Sequence, residues 1–404
     1  MANQPVVFVI GGGASGLAAA ISAARAGASV TILEQNDKPG KKILATGNGR
    51  CNFTHNDMHP EYFNPDGQSL VSSVLSIFGK QETLEFFRTL GLPSVELHEG
   101  WHYPRSLQAA SVLEVLLSEA RNLKIKIRTG TRVLKVQPAQ ESFEIYVEGW
   151  KYTAESVILC NGSKASNLPG SDGSGYAIAK SLGHRLVTPL PALTGLKGEG
   201  RYSWSGVRSH GKIALYLDNQ FIAAEEGELQ FTEYGLSGIP VFQISRSAIR
   251  GLEKGRKCRL TIDLLPDYSE EDLLVFLLET QNNAPQKTRE ELLIGLLPEK
   301  LRKYFVKEQK LSKVSLPEMA KLLKCYSMTI QGYLPFEQAQ ICSGGVSVTE
   351  VDPGTMESRK IPGLYFAGEL LDVDGPCGGY NLQWAWSSGF LAGKSAATRG
   401  GNPS

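Results

Sequence analysis

Three side chains in this sequence combine a reactive group with an unusual local setting. Cys51 follows Arg50 in a glycine-rich loop, where a cationic neighbour and backbone amides would lower the thiol pKa and make Cys51 a proton donor or a gate. Tyr380 carries a phenol that could protonate a carbanion, and His102, in GWHYPRS, is another candidate proton donor. Each has a simpler alternative role in packing, so the sequence leaves the donor open.

The cysteines and histidines lack the spacing of a metal or dithiol site. No pair of cysteines forms CxxC, and no histidines form HExxH. His55 and His59 are four residues apart, but Pro60 follows and no helix pattern surrounds them, so we expect both in a surface loop. We therefore predict no metal site. The absence of GxSxG and of a P-loop disfavours acyl and phosphoryl transfer.

The strongest pattern is a glycine motif between a buried strand and a helix. It has the form GxGxxG and consists of Gly11, Gly13 and Gly16. These glycines allow a tight turn, a close approach to a pyrophosphate, and close packing of helix on strand. The amides of Ala14 and Ser15 would face the phosphates at the positive end of the helix dipole. Glu34 ends the next strand, where it would accept hydrogen bonds from both ribose hydroxyls, which favours FAD or NAD over NADP.

The C-terminal segment favours FAD over NAD. A strand ends there in Ala367, Gly368 and Glu369, and a glycine turn then opens a helix at Asn381. A carboxylate at such a strand end can hold the ribityl chain of a flavin. A helix N-terminus aimed at the flavin pyrimidine would stabilise the negative charge of the reduced flavin.

Hydrophobic periodicity outlines the elements that would position these residues. Strands are predicted at 6–10, 30–33 and 157–159, and amphipathic helices at 82–91 and 107–121. Alternating stretches at 124–128, 133–136 and 143–147 indicate a small antiparallel meander.

The middle of the chain changes in character, which predicts a discontinuous first domain. We place an FAD-binding domain at 1–190 and 341–404 and an insert domain at 191–340. The insert divides into a β-barrel part at about 191–264 and 326–340 and a helical part at about 265–325.

Composition sets wider limits. Dividing 404 residues by roughly 150 per domain gives two or three domains. With 42% hydrophobic and 21% charged residues, a disordered chain, a collagen and a disulfide scaffold are excluded. No apolar stretch is long enough to span a membrane, so we expect a cytoplasmic protein without a membrane partner. The net charge is +1, although residues 287–324 carry ten Lys or Arg against five Glu, which indicates a solvated helix face or an anion or RNA contact.

Several motifs resemble one family along nearly the whole chain. KPGKKILATGNGRCNFTH at 38–55, GELQFTEYGLSGIP at 227–240, CSGGVSVTEVDPGTMES at 342–358 and the GGYN segment resemble the HI0933-like flavoproteins. That bacterial group is also named after bile-acid Δ4,6-reductases and an rRNA dihydrouridine synthase. Ser343 stands where a threonine is usual, and Cys377 occupies a variable position.

The resemblance implies an α/β fold and a set of FAD contacts. The fold would be a Rossmann-like FAD-binding domain of the glutathione-reductase/fumarate-reductase type, with an inserted β-barrel plus helical domain. Val133 would touch the adenine through its backbone. The other implied contacts are Ser15, Glu34, Lys42, Arg50, Cys51, Asn52, Gly162, Glu369, Asn381 and Leu382.

The function expected from these features is reduction of a conjugated C=C bond. Hydride would pass from NAD(P)H to FAD and then to an electron-poor carbon, and a side chain would protonate the adjacent carbon. The family offers two substrates, a 3-oxo steroid enone such as a dehydro-bile acid and a 23S rRNA uridine. A non-catalytic, FAD-stabilised ribosome-associated protein is the alternative.

Overall fold

A computed structural model describes residues 4–97, 100–166 and 171–399. The chain separates into two compact units, one formed by 1–190 with 341–404 and the other by 191–340. His98, one of the six histidines, lies outside the described residues.

The first segment of the first unit alternates strands and helices. Its strands are β1 (Val6–Ile10), β2 (Ser29–Leu33), β3 (Thr54–His55), β4 (Ser94–Leu97), β5 (Trp101–Pro104), β6 (Lys126–Arg128), β7 (Val133–Pro138), β8 (Phe143–Val147), β9 (Trp150–Ala154), β10 (Ser156–Leu159) and β11 (Leu186–Ala192). Its helices are α1 (Ala14–Arg25), α2 (Lys41–Ala45), α3 (Gln68–Ile77), α4 (Lys80–Thr89), α5 (Ala109–Asn122) and α6 (Ser174–Ser181).

The remaining elements belong to the second unit and to the return of the chain. The second unit contains β12 (Leu196–Gly198), β13 (Val207–Leu217), β14 (Gln220–Thr232), β15 (Gly235–Ser237), α7 (Ile239–Glu253), β16 (Cys258–Asp263), α8 (Glu270–Asn283), α9 (Arg289–Leu292), α10 (Glu299–Lys307), α11 (Leu316–Lys324) and β17 (Tyr326–Tyr333). The return supplies β18 (Ile341–Val346), β19 (Leu364–Phe366) and α12 (Tyr380–Thr398).

A five-stranded parallel sheet forms the centre of the first unit, in the order β19-β10-β1-β2-β6. Its inner strands are rich in Val, Ile and Leu because they are buried: α1 and α12 pack on the sheet, and Phe8 of β1 packs against Tyr152 of β9 with 5.4 Å between ring centroids. The fold is therefore of the Rossmann type, as the glycine motif predicts, and α12 returns from the far end of the sequence to pack beside α1.

Close approach of α12 to α1 depends on two glycines. A Cβ at Gly389 would lie 2.3 Å from the Ser15 carbonyl oxygen, and one at Gly393 would lie 2.1 Å from the Ala19 carbonyl oxygen. Neither distance is possible for a real Cβ. These glycines therefore let the C-terminal helix lie directly against the helix that follows the GxGxxG motif.

The predicted meander is correct in part. Its strands are β7, β8 and β9, so the stretch at 124–128 does not belong to it. That stretch forms β6, which pairs in parallel with β2 at the edge of the central sheet. A strand at the edge of the sheet is partly exposed, so its sequence alternates between polar and apolar residues as a meander strand does. The alternation alone could not distinguish an edge strand from a meander strand.

Helix positions were predicted with mixed success. The helices expected at 82–91 and 107–121 form as α4 and α5, each shifted by one or two residues. The prediction missed α3, and it also missed α7, which lies inside the stretch expected to be β-rich.

The second unit contains a closed barrel with strands in the order β12-β15-β14-β13-β16-β17. Helices α8 to α11 lie between β16 and β17 in sequence, as the helical pattern predicts. Trp204 is fully buried in this unit, stacked on Tyr202 at 4.6 Å and packed against Tyr304 at 4.2 Å between ring centroids.

No helix in the part of the chain that the structure describes has the length and apolar character needed to cross a membrane.

Candidate functional site

The three glycines of the motif differ in what a side chain would meet at each position. A Cβ at Gly16 would lie 1.9 Å from the Gly11 carbonyl oxygen, and one at Gly11 would lie 2.4 Å from the Cys160 carbonyl oxygen. A Cβ at Gly13 would meet no atom within 4 Å, and the φ of Gly13 is an ordinary −80°. The fold itself therefore requires Gly11 and Gly16 but does not require Gly13. Open space in front of Gly13 fits a phosphate group that approaches the backbone closely.

The first turn of α1 offers amides to such a phosphate. The first hydrogen bond within the helix runs from the Leu17 N–H to the Gly13 carbonyl at 2.9 Å. The N–H groups of Ala14, Ser15 and Gly16 precede it and are not used by the helix. They lie at the positive end of the helix dipole, as an anion site requires.

Glu34 is held at the end of β2 by three donors. Its Oε2 accepts from the Gly12 N–H at 2.7 Å, and its Oε1 accepts from the Asn36 N–H at 2.8 Å and from Asn36 Nδ2 at 2.7 Å. The side chain is 6% exposed. Val133, which begins β7, is also buried. These bonds fix the carboxylate beside the glycine loop, in the place predicted for a ribose contact.

Lys42 and Glu369, predicted separately, contact each other. Lys42 Nζ lies 2.6 Å from Glu369 Oε2, and Ser163 Oγ donates to the same oxygen at 2.9 Å. Gly368 just before has a φ of +70°, and a Cβ there would lie 2.5 Å from Ser15 Oγ. Ser15, Lys42 and Glu369 thus meet at the carboxyl end of β19. Gly162 follows the neighbouring strand β10 and also has a positive φ of +73°.

The loop around Cys51 has left-handed backbone at several positions. Gly47, Asn48 and Cys51 have φ values of +55°, +54° and +60°. The Cys51 N–H closes the loop on the Thr46 carbonyl at 3.1 Å. Non-glycine residues seldom adopt this conformation without a compensating function or constraint.

The surroundings of Cys51 fit the packing alternative rather than activation of the thiol. The residue is completely buried, and burial raises the pKa of its thiol to about 12, although a hydrogen bond with Thr46 acts in the opposite sense. Arg50 is exposed, and its charge opposes the burial that raises the pKa of Tyr103. The charge of Arg50 therefore does not outweigh the effect of burial on the Cys51 thiol.

Asn52 carries a buried amide side chain. It is 7% exposed, and among the described residues neither its Oδ1 nor its Nδ2 has a hydrogen-bond partner. Leaving both groups unpaired would cost about 1–3 kcal/mol each. An amide that presents one donor and one acceptor fits a bound group with the complementary pair, such as the edge of a flavin pyrimidine.

The N-terminus of α12 lies against the same loop. Gly379 has a φ of +98°, and a Cβ there would lie 2.7 Å from the Thr54 carbonyl oxygen and 2.9 Å from Asn52 Oδ1. The first intrahelical bond runs from the Gln383 N–H to the Gly379 carbonyl at 2.9 Å, which leaves the N–H groups of Asn381 and Leu382 unused by the helix.

The Asn381 side chain is committed to its own loop. Its Oδ1 accepts from the Gly375 N–H at 2.9 Å, and its Nδ2 donates to the carbonyls of Gly375 at 2.9 Å and Pro376 at 3.2 Å. Only the backbone of Asn381 is therefore left for a ligand.

The three predicted proton donors lie on connected elements. In the sheet β3-β5-β4, His102 is paired with Thr54, and its Nε2 lies 2.8 Å from Asn56 Oδ1. Its Nδ1 has no partner among the described residues, and burial lowers the pKa of the ring. Tyr380 is 6% exposed, and burial raises the pKa of its phenol, which therefore stays protonated.

His55, which we expected in a surface loop, contacts the predicted proton donor Tyr380. It is half-buried, its ring stacks on Tyr380 with 5.1 Å between centroids, and its Nδ1 lies 3.3 Å from the phenol oxygen. His59 is exposed as expected. The available signal was that His55 closes the same family-like motif that contains Cys51 and Asn52.

Gln383 was also missed. Its buried amide accepts from Thr54 Oγ1 at 2.5 Å and donates to Thr83 Oγ1 at 2.7 Å and to Ser387 Oγ at 2.8 Å. It therefore ties the Asn52 loop to α12.

Among the described residues, no three His, Cys, Asp or Glu side chains converge as a metal site would require.

Comparison with known proteins identifies close relatives. A family model described as "HI0933-like protein Rossmann domain" matches residues 5–395. A 3-dehydro-bile acid delta(4,6)-reductase of Clostridium scindens is 45% identical over 407 aligned residues, which cover 97% of this chain and 99% of the relative. A ribosomal RNA dihydrouridine synthase of Escherichia coli is 30% identical, with 95% of this chain and 96% of the relative covered.

A solved structure gives the same fold. The 3-ketosteroid-delta4-(5alpha)-dehydrogenase of Rhodococcus jostii aligns with a TM-score of 0.52, covering 98% of this chain and 97% of the other. The sequences are 16% identical, so this likeness bears on the fold alone.

Proposed function

The chain belongs to the HI0933-like family, and from that membership and the site we propose that it is an FAD-dependent reductase of a conjugated C=C bond in a 3-oxo steroid. Electrons would come from NADH or NADPH. The observation that carries the proposal is the 45% identity, over nearly the full length of both chains, with the bile-acid reductase of Clostridium scindens.

The chain offers groups for each part of FAD. The space at Gly13 and the amides of Ala14 and Ser15 would receive the pyrophosphate, Glu34 the adenosine ribose, and Glu369 with Lys42 the ribityl chain. The Asn52 amide and the first N–H groups of α12 would hold the flavin pyrimidine. The family resemblance adds Arg50, Cys51, Val133, Gly162 and Leu382. FAD, when bound, supplies the hydride for the reaction.

Tyr380 is the proposed proton donor. Its phenol is neutral because burial raises its pKa, and it sits at the first position of the helix that would face the flavin. Cys51 is less suited because its thiol is fully enclosed. His102 directs Nε2 at Asn56, and burial lowers its pKa, so its ring is neutral and a weaker proton source.

Some lysines of the basic segment at 287–324 are bonded within the protein. Lys324 pairs with Asp263 at 2.7 Å, Lys303 pairs with Glu299, and Lys300 donates to the Ser205 carbonyl at 2.8 Å. Glu299 already counts among the five glutamates of the segment, and a backbone carbonyl cancels no charge. These bonds therefore leave most of the net positive charge of 287–324 available to a phosphate backbone.

An rRNA uridine is the second candidate, because the Escherichia coli relative at 30% identity acts on ribosomal RNA by name. In both reactions a C=C bond conjugated to a carbonyl gains two hydrogens, so the same site chemistry would serve.

Product analysis tests the choice. The purified protein is incubated without oxygen with FAD, NADH or NADPH, and either a 3-oxo-4,6-dienyl steroid or rRNA lacking dihydrouridine. We expect a mass gain of two hydrogens in the steroid, at a rate that changes little with salt. Reduction of rRNA alone, falling steeply with salt, would replace the steroid by the RNA substrate. Flavin that neither nucleotide reduces would favour a non-catalytic FAD protein.

A further inference from the structure

His55 lies beside the phenol of Tyr380 in a position fixed by its neighbours. It lies on β3 opposite Trp101 in β5, and its ring is nearly parallel to that of Tyr380, with 24° between the planes. A Cβ at Gly100 would lie 3.3 Å from His55 Cε1, so a larger residue there would crowd the imidazole. The contact between the two rings is therefore set by the fold.

The groups around His55 Nδ1 suit both protonation states of the ring. The Asp57 N–H lies 2.9 Å from Nδ1 and can donate to it when the nitrogen is unprotonated. The Asp57 carbonyl lies 3.1 Å from the same atom and can accept from it when it carries a proton. The Tyr380 hydroxyl, at 3.3 Å, can act in either sense. The nitrogen itself therefore has a hydrogen-bond partner in either protonation state.

We propose that His55 is a positioning residue that holds the Tyr380 phenol and returns a proton to it from solvent. The inference rests on the proposed reduction and assigns the source of its proton. Asp57 is exposed and His55 is half-buried, so the imidazole lies between water and a phenol that is itself buried.

The proposed steps conserve protons and electrons. FAD, once bound and reduced by the nicotinamide, would supply the hydride that adds to the β-carbon of the conjugated ketone, and the C=C electron pair would move to the α-carbon. The O–H bond of Tyr380 breaks as a C–H bond forms at that carbon, and its electron pair stays on the phenolate. In the same step the Nδ1–H bond of protonated His55 breaks and its proton bonds to that electron pair, which restores the phenol. The imidazole then takes a proton from water.

Other ionisable groups lie close to His55 and Tyr380. Tyr62 donates to Asp57 Oδ2 at 2.5 Å, and Tyr62 also packs edge-on against Tyr380. Burial raises the pKa of the Tyr380 phenol, and the charge of Asp57 adds to this effect. His102 approaches from β5, where a charge on His55 would lower its pKa.

Half-reactions of His55→Gln and His55→Ala test the inference. The bound flavin is reduced by NADH or NADPH in one syringe and mixed with the steroid dienone in another, without oxygen. We expect both variants to bind FAD and to be reduced at the wild-type rate. Reoxidation by the dienone should slow by about 10- to 100-fold. Free imidazole should restore much of the rate in His55→Ala, and His59→Gln should match the wild type.

The outcomes separate this inference from the reaction on which it rests. Reoxidation of both His55 variants at the wild-type rate would overturn the relay and leave the reduction intact. Loss of FAD together with equal slowing of both half-reactions would assign His55 a purely structural role. The double variant with Tyr380→Phe should be no slower than Tyr380→Phe alone, because the two residues act in series. A wild-type flavin that the dienone cannot reoxidise would overturn the proposed reaction itself.

Discussion

Thr54 Oγ1 donates a hydrogen bond of 2.5 Å to Oε1 of Gln383, a residue 329 positions further along the chain. Gln383 uses both amide hydrogens as well, on Thr83 and Ser387, and none of these four side chains is exposed. This buried amide fixes the loop of Asn52 against the N-terminus of α12. The two groups proposed to hold the flavin pyrimidine thus have a common support.

Replacing Gln383 should therefore destabilise the fold. Gln383→Leu leaves three buried hydroxyls without their partner, and we expect the free energy of unfolding of the apo-protein to fall by about 2–4 kcal/mol. Ser387→Ala removes one of the bonds and should cost about 1 kcal/mol. Urea unfolding measures both, and equal stability of Gln383→Leu and the wild type would show that the network contributes nothing.

Two glycine substitutions should separate cofactor binding from folding. Gly13→Ala places a methyl group in open space, so the apo-protein should melt at the wild-type temperature while FAD affinity falls by at least about tenfold. Gly16→Ala forces a methyl group onto the Gly11 carbonyl and should destabilise the apo-protein by about 1–3 kcal/mol. Thermal melts and FAD fluorescence titrations distinguish the two. Unchanged FAD binding by Gly13→Ala would show that the pyrophosphate does not bind at Gly13.

Thiol labelling should show that Cys51 is unreactive. With a pKa of about 12, about one ten-thousandth of the Cys51 thiol is ionised at pH 8, and the side chain is enclosed. Cys325 is exposed and should react first with an aromatic disulfide reagent. Mass mapping of the labelled sites, with a urea-unfolded sample in which all six cysteines react, is the measurement. Rapid labelling of Cys51 in the native protein would contradict its burial and make it a candidate proton donor again.

Acid should destabilise the first unit through His184. The ring is completely enclosed, and Nε2 faces the Ser358 hydroxyl at 3.1 Å while Nδ1 faces Glu350 at 3.0 Å. Burial lowers the pKa of His184 despite the attraction of Glu350. The unfolded chain therefore takes up the proton first, and stability is lost as pH falls below about 6.5.

Melting temperatures across this pH range test that sign. His184→Gln should be less stable than the wild type at neutral pH but should lose less stability on acidification. His59→Gln, at an exposed position, serves as the control and should keep the wild-type slope. A steeper acid loss in His184→Gln would mean that the ring is protonated in the folded protein.

Local patterns predicted much of the fold. The glycine motif, Glu34 and the parallel strands were found because a βαβ unit is continuous in sequence and its hydrophobic period is strong. The roles of His55 and Gln383 depend on partners 325 and 329 residues away, Tyr380 and Thr54, and no local pattern indicates such pairs. For Cys51 the sequence left activation and packing open, because its enclosure depends on the tertiary packing of a loop that looks polar in sequence; the structure buries it, as the packing alternative requires.

A single turnover tests the proposed reaction most directly. The FAD-loaded protein is reduced without oxygen by one equivalent of NADH or NADPH and mixed rapidly with a 3-oxo-4,6-dienyl steroid, while the visible absorbance of oxidised flavin is followed. We predict that this absorbance returns in one fast phase and that mass spectrometry finds one dihydro-steroid per flavin. Flavin that stays reduced in the presence of the dienone, with no steroid product, would contradict the assignment.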